Sequence, residues 1–122
     1  MTLIKITELS PVCLTRPRGD EAFDKLRPYL EMSGATVDLD LDAAEAPSSS
    51  FLDQLILRLL SSNQLDAVTF VTRTDRVRKR LAAIAGARRL TLYFKPGLQA
   101  IRRPVPMTSP GYEAEYDREK PA

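Results

Sequence analysis

Polar and apolar residues alternate most cleanly between Thr36 and Asp42, where Val37, Leu39 and Leu41 interleave with Asp38, Asp40 and Asp42. A period of two buries one face of a strand and wets the other. From Ser50 the period lengthens. Phe51, Leu52, Leu55, Ile56, Leu59 and Leu60 recur at helical spacing, with Asp53, Gln54 and Arg58 on the other side. Pro47 biases Ala46 away from helical geometry. Ser50 with Asp53 three residues later is similar to a capping box. The pattern predicts a strand, a short connection ending in three serines, and an amphipathic helix. Ser48, Ser49 and Ser50 then crowd the amino end of a helix beside a strand's carboxyl end. In open α/β sheets that is a usual place for a ligand or a switch.

The flanking chain is punctuated less cleanly. Thr2 to Ile6 reads as a short strand, Glu8 to Pro11 as a turn, and Val12 to Thr15 as a second apolar run. Together they predict a hairpin or one interrupted edge strand. Arg16-Pro17-Arg18-Gly19-Asp20 reads as a loop, whose Arg16 and Arg18 are suited to an anion or a partner's carboxylate. Asp20 is the expected cap of a helix with Ala22, Phe23, Leu26, Tyr29 and Leu30 as its stripe. Pro28 predicts a kink or an end near Arg27. After the serine helix, Ala67 to Val71 is strongly β-prone. Thr72 or Thr74 caps a further helix with Val77, Leu81, Ile84 and Ala85 inside, ended by Gly86. Arg89 to Phe94 reads as a last strand.

Strands separated by helices pair in parallel through right-handed crossovers. The expected fold is therefore α/β: a two-layer domain over residues 1–94, with a mixed sheet of four or five strands and three helices mainly on one face. The aspartate face of the organising strand supports two layers, because it reads as solvated. Prolines at 96, 104, 106, 110 and 121 mark 95–122 as an extended or disordered tail, packing at most locally through Leu98, Ile101 or Val105. Tyr112 and Tyr116, set among acids, offer a docking motif.

Composition removes whole classes of chemistry. With no histidine, neither a Ser-His-Asp nor a Cys-His arrangement can be built. The five glycines form no phosphate-binding or dinucleotide-binding loop. No enzymatic activity and no cofactor are expected. Asp38, Asp40, Asp42 and Glu45 are no metal cluster, since alternate residues of one strand lie about 7 Å apart and do not converge on one ion. The single cysteine, Cys13, excludes an internal disulfide and reads as a small core residue in a reducing compartment. There is no amino-terminal signal pattern and no run of about 18 apolar residues, so a cytoplasmic protein of bacterial type is expected, with no membrane partner.

Charge is polarised although the net is only +2. Between Arg73 and Arg89 lie seven cations against one acid, Asp75, a local net of +6 that leaves −4 for the rest. Arg76, Arg78, Lys79 and Arg80 form the densest part. Such a face suits phosphates, an acidic protein or plain solvent, and no aromatic residues are interleaved as single-stranded nucleic acid would favour. A small nucleic-acid or phosphate binder using this helix is the alternative reading.

The element order, and above all V-D-L-D-L-D-A-A-E-A-P-S-S-S-F-L-D-Q-L, resembles the STAS domain, and within it a STAS-like bacterial family of unassigned function. The resemblance covers Pro11 to Phe94. In the related anti-sigma-factor antagonists the similar segment reads Asp-Ser-Ser-Gly-Leu, and its first serine is phosphorylated by a kinase that is also the anti-sigma factor. Laid on this chain, the acid falls at Ser48, the phosphoacceptor at Ser49, the second serine at Ser50, the glycine at Phe51 and the leucine at Leu52. Ser48 and Phe51 depart from the motif. The resemblance implies a regulatory, protein-binding module in signal transduction. Its contacts would be Ser48, Ser49, Ser50 and Asp53, and its partner a histidine-kinase-like ATPase or anti-sigma-type regulator. It leaves oligomeric state open.

Overall fold

Val37–Asp40 (β2) is the second of five strands whose spatial order repeats their order in the chain. The others are Thr2–Lys5 (β1), Val68–Val71 (β3), Tyr93–Lys95 (β4) and Arg103–Pro104 (β5). The computed structural model describes residues 2–32, 34–43 and 45–106. The first four strands pair in parallel, and β5 returns antiparallel to β4. Between them run a single helical turn, Ile6–Leu9 (α1), and three longer helices: Arg16–Leu30 (α2), Ser49–Ser61 (α3) and Asp75–Arg88 (α4). Each crossover steps one strand in the same direction. Right-handed connections then stack α2, α3 and α4 on one face. The result is the expected two-layer α/β domain with a mixed sheet.

The core lies between sheet and helices. Ile4, Val37, Leu39, Val68, Phe70 and Phe94 meet Phe23, Leu26, Phe51, Leu55, Leu59 and Leu81, all buried. Because strand order never reverses, the sheet has no switch point where adjacent loops splay apart, and so none of the crevice that such a reversal opens.

Several local expectations are corrected. Val12–Thr15 is not a strand. Ile6 and Leu9 bury themselves on the single turn α1, and within 12–15 only Cys13 is buried, leaving Val12 and Leu14 exposed. Arg16–Asp20 is not a loop but the start of α2. Thr15 is its cap, accepting from the Arg18 amide at 3.4 Å, and Pro17 sits in the first turn, where its missing amide is no loss. Gly19 is helical because α2 crosses α3 there. A Cβ at Gly19 would fall 2.8 Å from the Phe51 carbonyl oxygen and 2.9 Å from Gln54 Cβ.

Pro28 does not end α2, which continues to Leu30. Pro28 lies on the exposed side of the last turn, close to the helix end, where the missing amide interrupts little of the helix. Gly86 does not stop α4 either. The helix reaches Arg88, and Arg89 takes the left-handed conformation (φ 55°, ψ 50°), with the Leu90 amide bonding back to Ala85 at 2.9 Å. Thr74, not Thr72, caps α4. The last strand predicted over 89–94 is confined to Tyr93–Lys95, with Leu92 buried just before it.

The aspartate face is not solvated. Asp38 is 6% exposed, and its Oδ2 accepts from Lys95 Nζ at 2.7 Å. Beside it, Arg102 lies over the Tyr93 ring, 3.7 Å from its centroid, and donates to Thr69 Oγ1 at 2.8 Å. The packed unit therefore passes residue 94: β5 pairs with β4, and Val105 is in the core. Leu98 and Ile101 are exposed. Tyr112 and Tyr116 lie outside the described residues. Among those residues no helix is long and apolar enough to cross a membrane.

Candidate functional site

The first turn of α3 is held from three sides. Ser48, not Ser50, is its cap: the Ser48 hydroxyl accepts from the Phe51 amide at 3.1 Å and donates to the Leu14 carbonyl at 2.9 Å. The Ser48 amide bonds to the Cys13 carbonyl at 2.9 Å. Preceding it, the Pro47 carbonyl accepts from Arg80 Nη1 at 2.6 Å. With Ser48 doing the capping, Ser49 and Ser50 fall on the first two helical positions and are exposed. The expected capping box between Ser50 and Asp53 does not form.

Asp53 is instead the centre of an ion cluster joining three helices. Arg88 of α4 binds it through both oxygens, Nε to Oδ1 at 2.6 Å and Nη2 to Oδ2 at 2.7 Å. Arg16 of α2 adds Nη1 to Oδ2 at 2.9 Å and reaches Gln54 Oε1 at 3.3 Å. The Arg88 hydrogen bonds, followed by that of Arg16, hold the Asp53 carboxyl below its ordinary range against the opposing effect of burial. Arg88 is raised in turn, chiefly by its bond to Asp53. One turn further along, Asp20 accepts from Gln54 Nε2 at 2.8 Å and Arg58 Nη1 at 3.0 Å, and its pKa is lowered, first by Gln54.

Two hollows flank the loop that leads from β2 into α3. One, of about 220 Å³, is lined by Thr7, Pro11, Val12, Cys13, Leu14 and Ala46 among others. Its lining is largely apolar, Glu45 and Thr7 apart, and burial raises the Cys13 thiol above its ordinary pKa. The second, of about 340 Å³, lies between Leu41, Asp42, Thr74, Arg76 and Val77. At its edge Asp42 joins the ends of β2 and β3, accepting from Thr72 Oγ1 at 2.8 Å and from the Arg73 amide at 2.9 Å. Among the described residues no group of acidic, cysteine or histidine side chains could hold a metal ion.

The residues singled out from sequence are thus partly gathered and partly dispersed. Ser48, Ser49, Ser50, Asp53 and Arg16 share the α3 amino end. Arg18 turns away to Glu21 at 3.1 Å. The basic helix is divided: Arg78 pairs with Asp75, Arg80 is bonded to Pro47, and Arg88 belongs to Asp53. Arg76 lines the second hollow beside buried Val77, and Lys79 is half-buried. Sequence reasoning missed Arg88 as a site residue, because its partner is 35 positions away and one more arginine in a basic helix carries no local mark. No protein-family model, curated protein or solved structure matches this chain.

Proposed function

We propose that this chain is a non-enzymatic regulatory module that binds another protein through the surface around the first turn of α3, with the serine cluster as its control point. One observation carries this reading. Ser49 and Ser50 stand exposed at the amino end of a 13-residue helix whose cap, Ser48, is hydrogen-bonded to the Cys13 and Leu14 carbonyls, and in that neighbouring segment Val12 and Leu14 are 41% and 46% exposed. Apolar side chains rimmed by small hydroxyls suit a protein contact. A phosphate there would add about −1.5 to −2 charge and break such a contact by charge and bulk. The free amides and dipole of α3 would meanwhile stabilise it.

The resemblance to STAS domains supports the same reading by a different route. It places the phosphoacceptor at Ser49 and implies a partner-switching circuit with a kinase-like ATPase or anti-sigma-type regulator. The test is a pull-down from lysate of the source cells with wild-type and Ser49→Asp chains as parallel baits, followed by binding titrations with the purified captured protein. A partner bound directly by wild type and at least tenfold more weakly by the variant is the expected result. Equal affinity for both would show that the serines only begin a helix and that the interface, if any, is elsewhere.

A further inference from the structure

At the end of α3 far from the serines, a third hollow of about 200 Å³ is lined by Leu60, Asn63, Leu65, Asp66, Leu90 and Thr91. Its floor is made of leucines: Leu65 is buried, Leu90 packs against the core, and Leu60 is 40% exposed. Asn63, Asp66 and Thr91 are exposed and form its polar rim. Sites for whole small molecules run to about 300–1,000 Å³, so this hollow is sized for a single side chain. An apolar floor under a polar rim suits tyrosine, whose ring is apolar and whose hydroxyl needs a hydrogen-bond partner.

The chain brings its own tyrosines to this place. The Val105 amide donates to the Leu92 carbonyl at 2.7 Å, continuing the antiparallel pairing of β5 with β4, which sets Pro106 level with Thr91 on the rim. Residues 107–122 follow, with Tyr112 and Tyr116 set among Glu113, Glu115, Asp117 and Glu119. The stretch from Pro106 to Tyr112 reaches about 20 Å when extended. From Thr91 at the start of β4 to Leu60 at the end of α3 the hollow spans one packed layer, roughly 10 Å. Charge agrees with length. Residues 107–122 carry four acids against two cations, and residues 1–106 carry sixteen cations against twelve acids. Of the cations at this end, Arg88 is engaged by Asp53, and Arg102 by Thr69 and the Asp66 carbonyl. Arg89, next to Leu90, is exposed and has no ion pair among the described residues. Asp66 is the one acid on the rim that opposes it. We propose that this hollow takes Tyr112 of the chain's own carboxy-terminal segment, with Glu113 and Glu115 toward Arg89. The contact lies at the opposite end of α3 from the serine cluster and leaves that surface free for a partner.

The test is NMR of the full chain with labelled leucine methyl groups. The expected result is a set of nuclear Overhauser contacts from the Tyr112 ring to the Leu60, Leu65 and Leu90 methyls. Ring-current shifts of those methyls should accompany them, abolished in Tyr112→Ala and kept in Tyr112→Phe. Tyr116→Ala should leave them in place. Arg89→Gln should weaken docking about twofold or more, as loss of an exposed charge pair does, and so shrink the shifts. Methyl signals that are the same in wild type and in Tyr112→Ala overturn the proposal. So do shifts that vanish in Tyr116→Ala instead, and shifts that fade on dilution, which would put the segment of one copy on another. Shifts indifferent to Arg89→Gln overturn the part given to charge. Amide spectra of α3 and β4 confirm that each variant is folded. This readout needs no partner, so its failure is distinct from failure of the pull-down.

Discussion

Arg88 grips Asp53 with two parallel hydrogen bonds of 2.6 and 2.7 Å, and this pair fastens α4 to α3. The Asp53 side chain is 13% exposed, so the pair is shielded more than an ordinary surface ion pair. Replacing Asp53 by Asn or Ala leaves Arg88 and Arg16 facing each other without their anion. The expected loss is about 1–3 kcal/mol, between the values for exposed and buried pairs, measured by urea unfolding at neutral pH.

The same pair sets part of the acid stability. Asp53 has a lowered pKa in the folded protein, so the unfolded chain binds more protons and stability rises with pH. The contribution is complete above the unfolded value of about 3.9 and disappears as pH falls through the lower folded value. Asp20 acts in the same direction. The stability of wild type should therefore fall below about pH 4, and Asp53→Asn should flatten that decline without abolishing it, as unfolding curves taken at a series of pH values would show.

Gly19→Ala sets two effects against each other. Alanine favours a helix by about 1 kcal/mol over glycine. Its methyl group, however, would lie 2.8 Å from the Phe51 carbonyl, a backbone atom that moves only if α3 moves. Overpacking of this kind costs about 1–3 kcal/mol. The net expectation is a lower thermal midpoint, whereas Lys25→Ala on the exposed side of α2 should leave it nearly unchanged.

The serines separate by role. Ser48→Ala removes the α3 cap and the tie to Leu14, and should cost about 1–2 kcal/mol in chemical denaturation. Ser49→Ala and Ser50→Ala should change stability by less than about 0.5 kcal/mol, as exposed helical positions do. A large loss at Ser49 or Ser50 would show that these hydroxyls are structural after all.

Arg89 holds a left-handed backbone at the end of α4, with φ 55°. Glycine adopts that conformation without a Cβ penalty, which is about 1–2 kcal/mol for other residues. Arg89→Gly should therefore raise the unfolding midpoint, despite the greater freedom of glycine in the unfolded chain.

Within this chain, periodicity was enough to place β2, α3, β3 and α4, because burial of one face is written into each segment's own spacing. The helices between them then made the first four strands parallel, but the strand order that puts α2, α3 and α4 on one side through right-handed crossovers was decided by the tertiary structure. The serines at the start of α3 were legible for the same reason, down to their position but not to which of them is the cap. What tertiary structure alone decided were the partners. Asp53 meets Arg88 across 35 positions and Asp38 meets Lys95 across 57, so residues that read as wetted turned out to be ion-paired and shielded. Gly19 and Pro17, which read as a loop, lie in a helix because Thr15 caps it and α3 crosses it closely. The Arg103–Pro104 strand was invisible because two residues carry no period. A sequence pattern records where each residue prefers to be relative to water. Which charge neutralises which, and which backbone must pass close to which, depends on distances between elements that no local pattern contains.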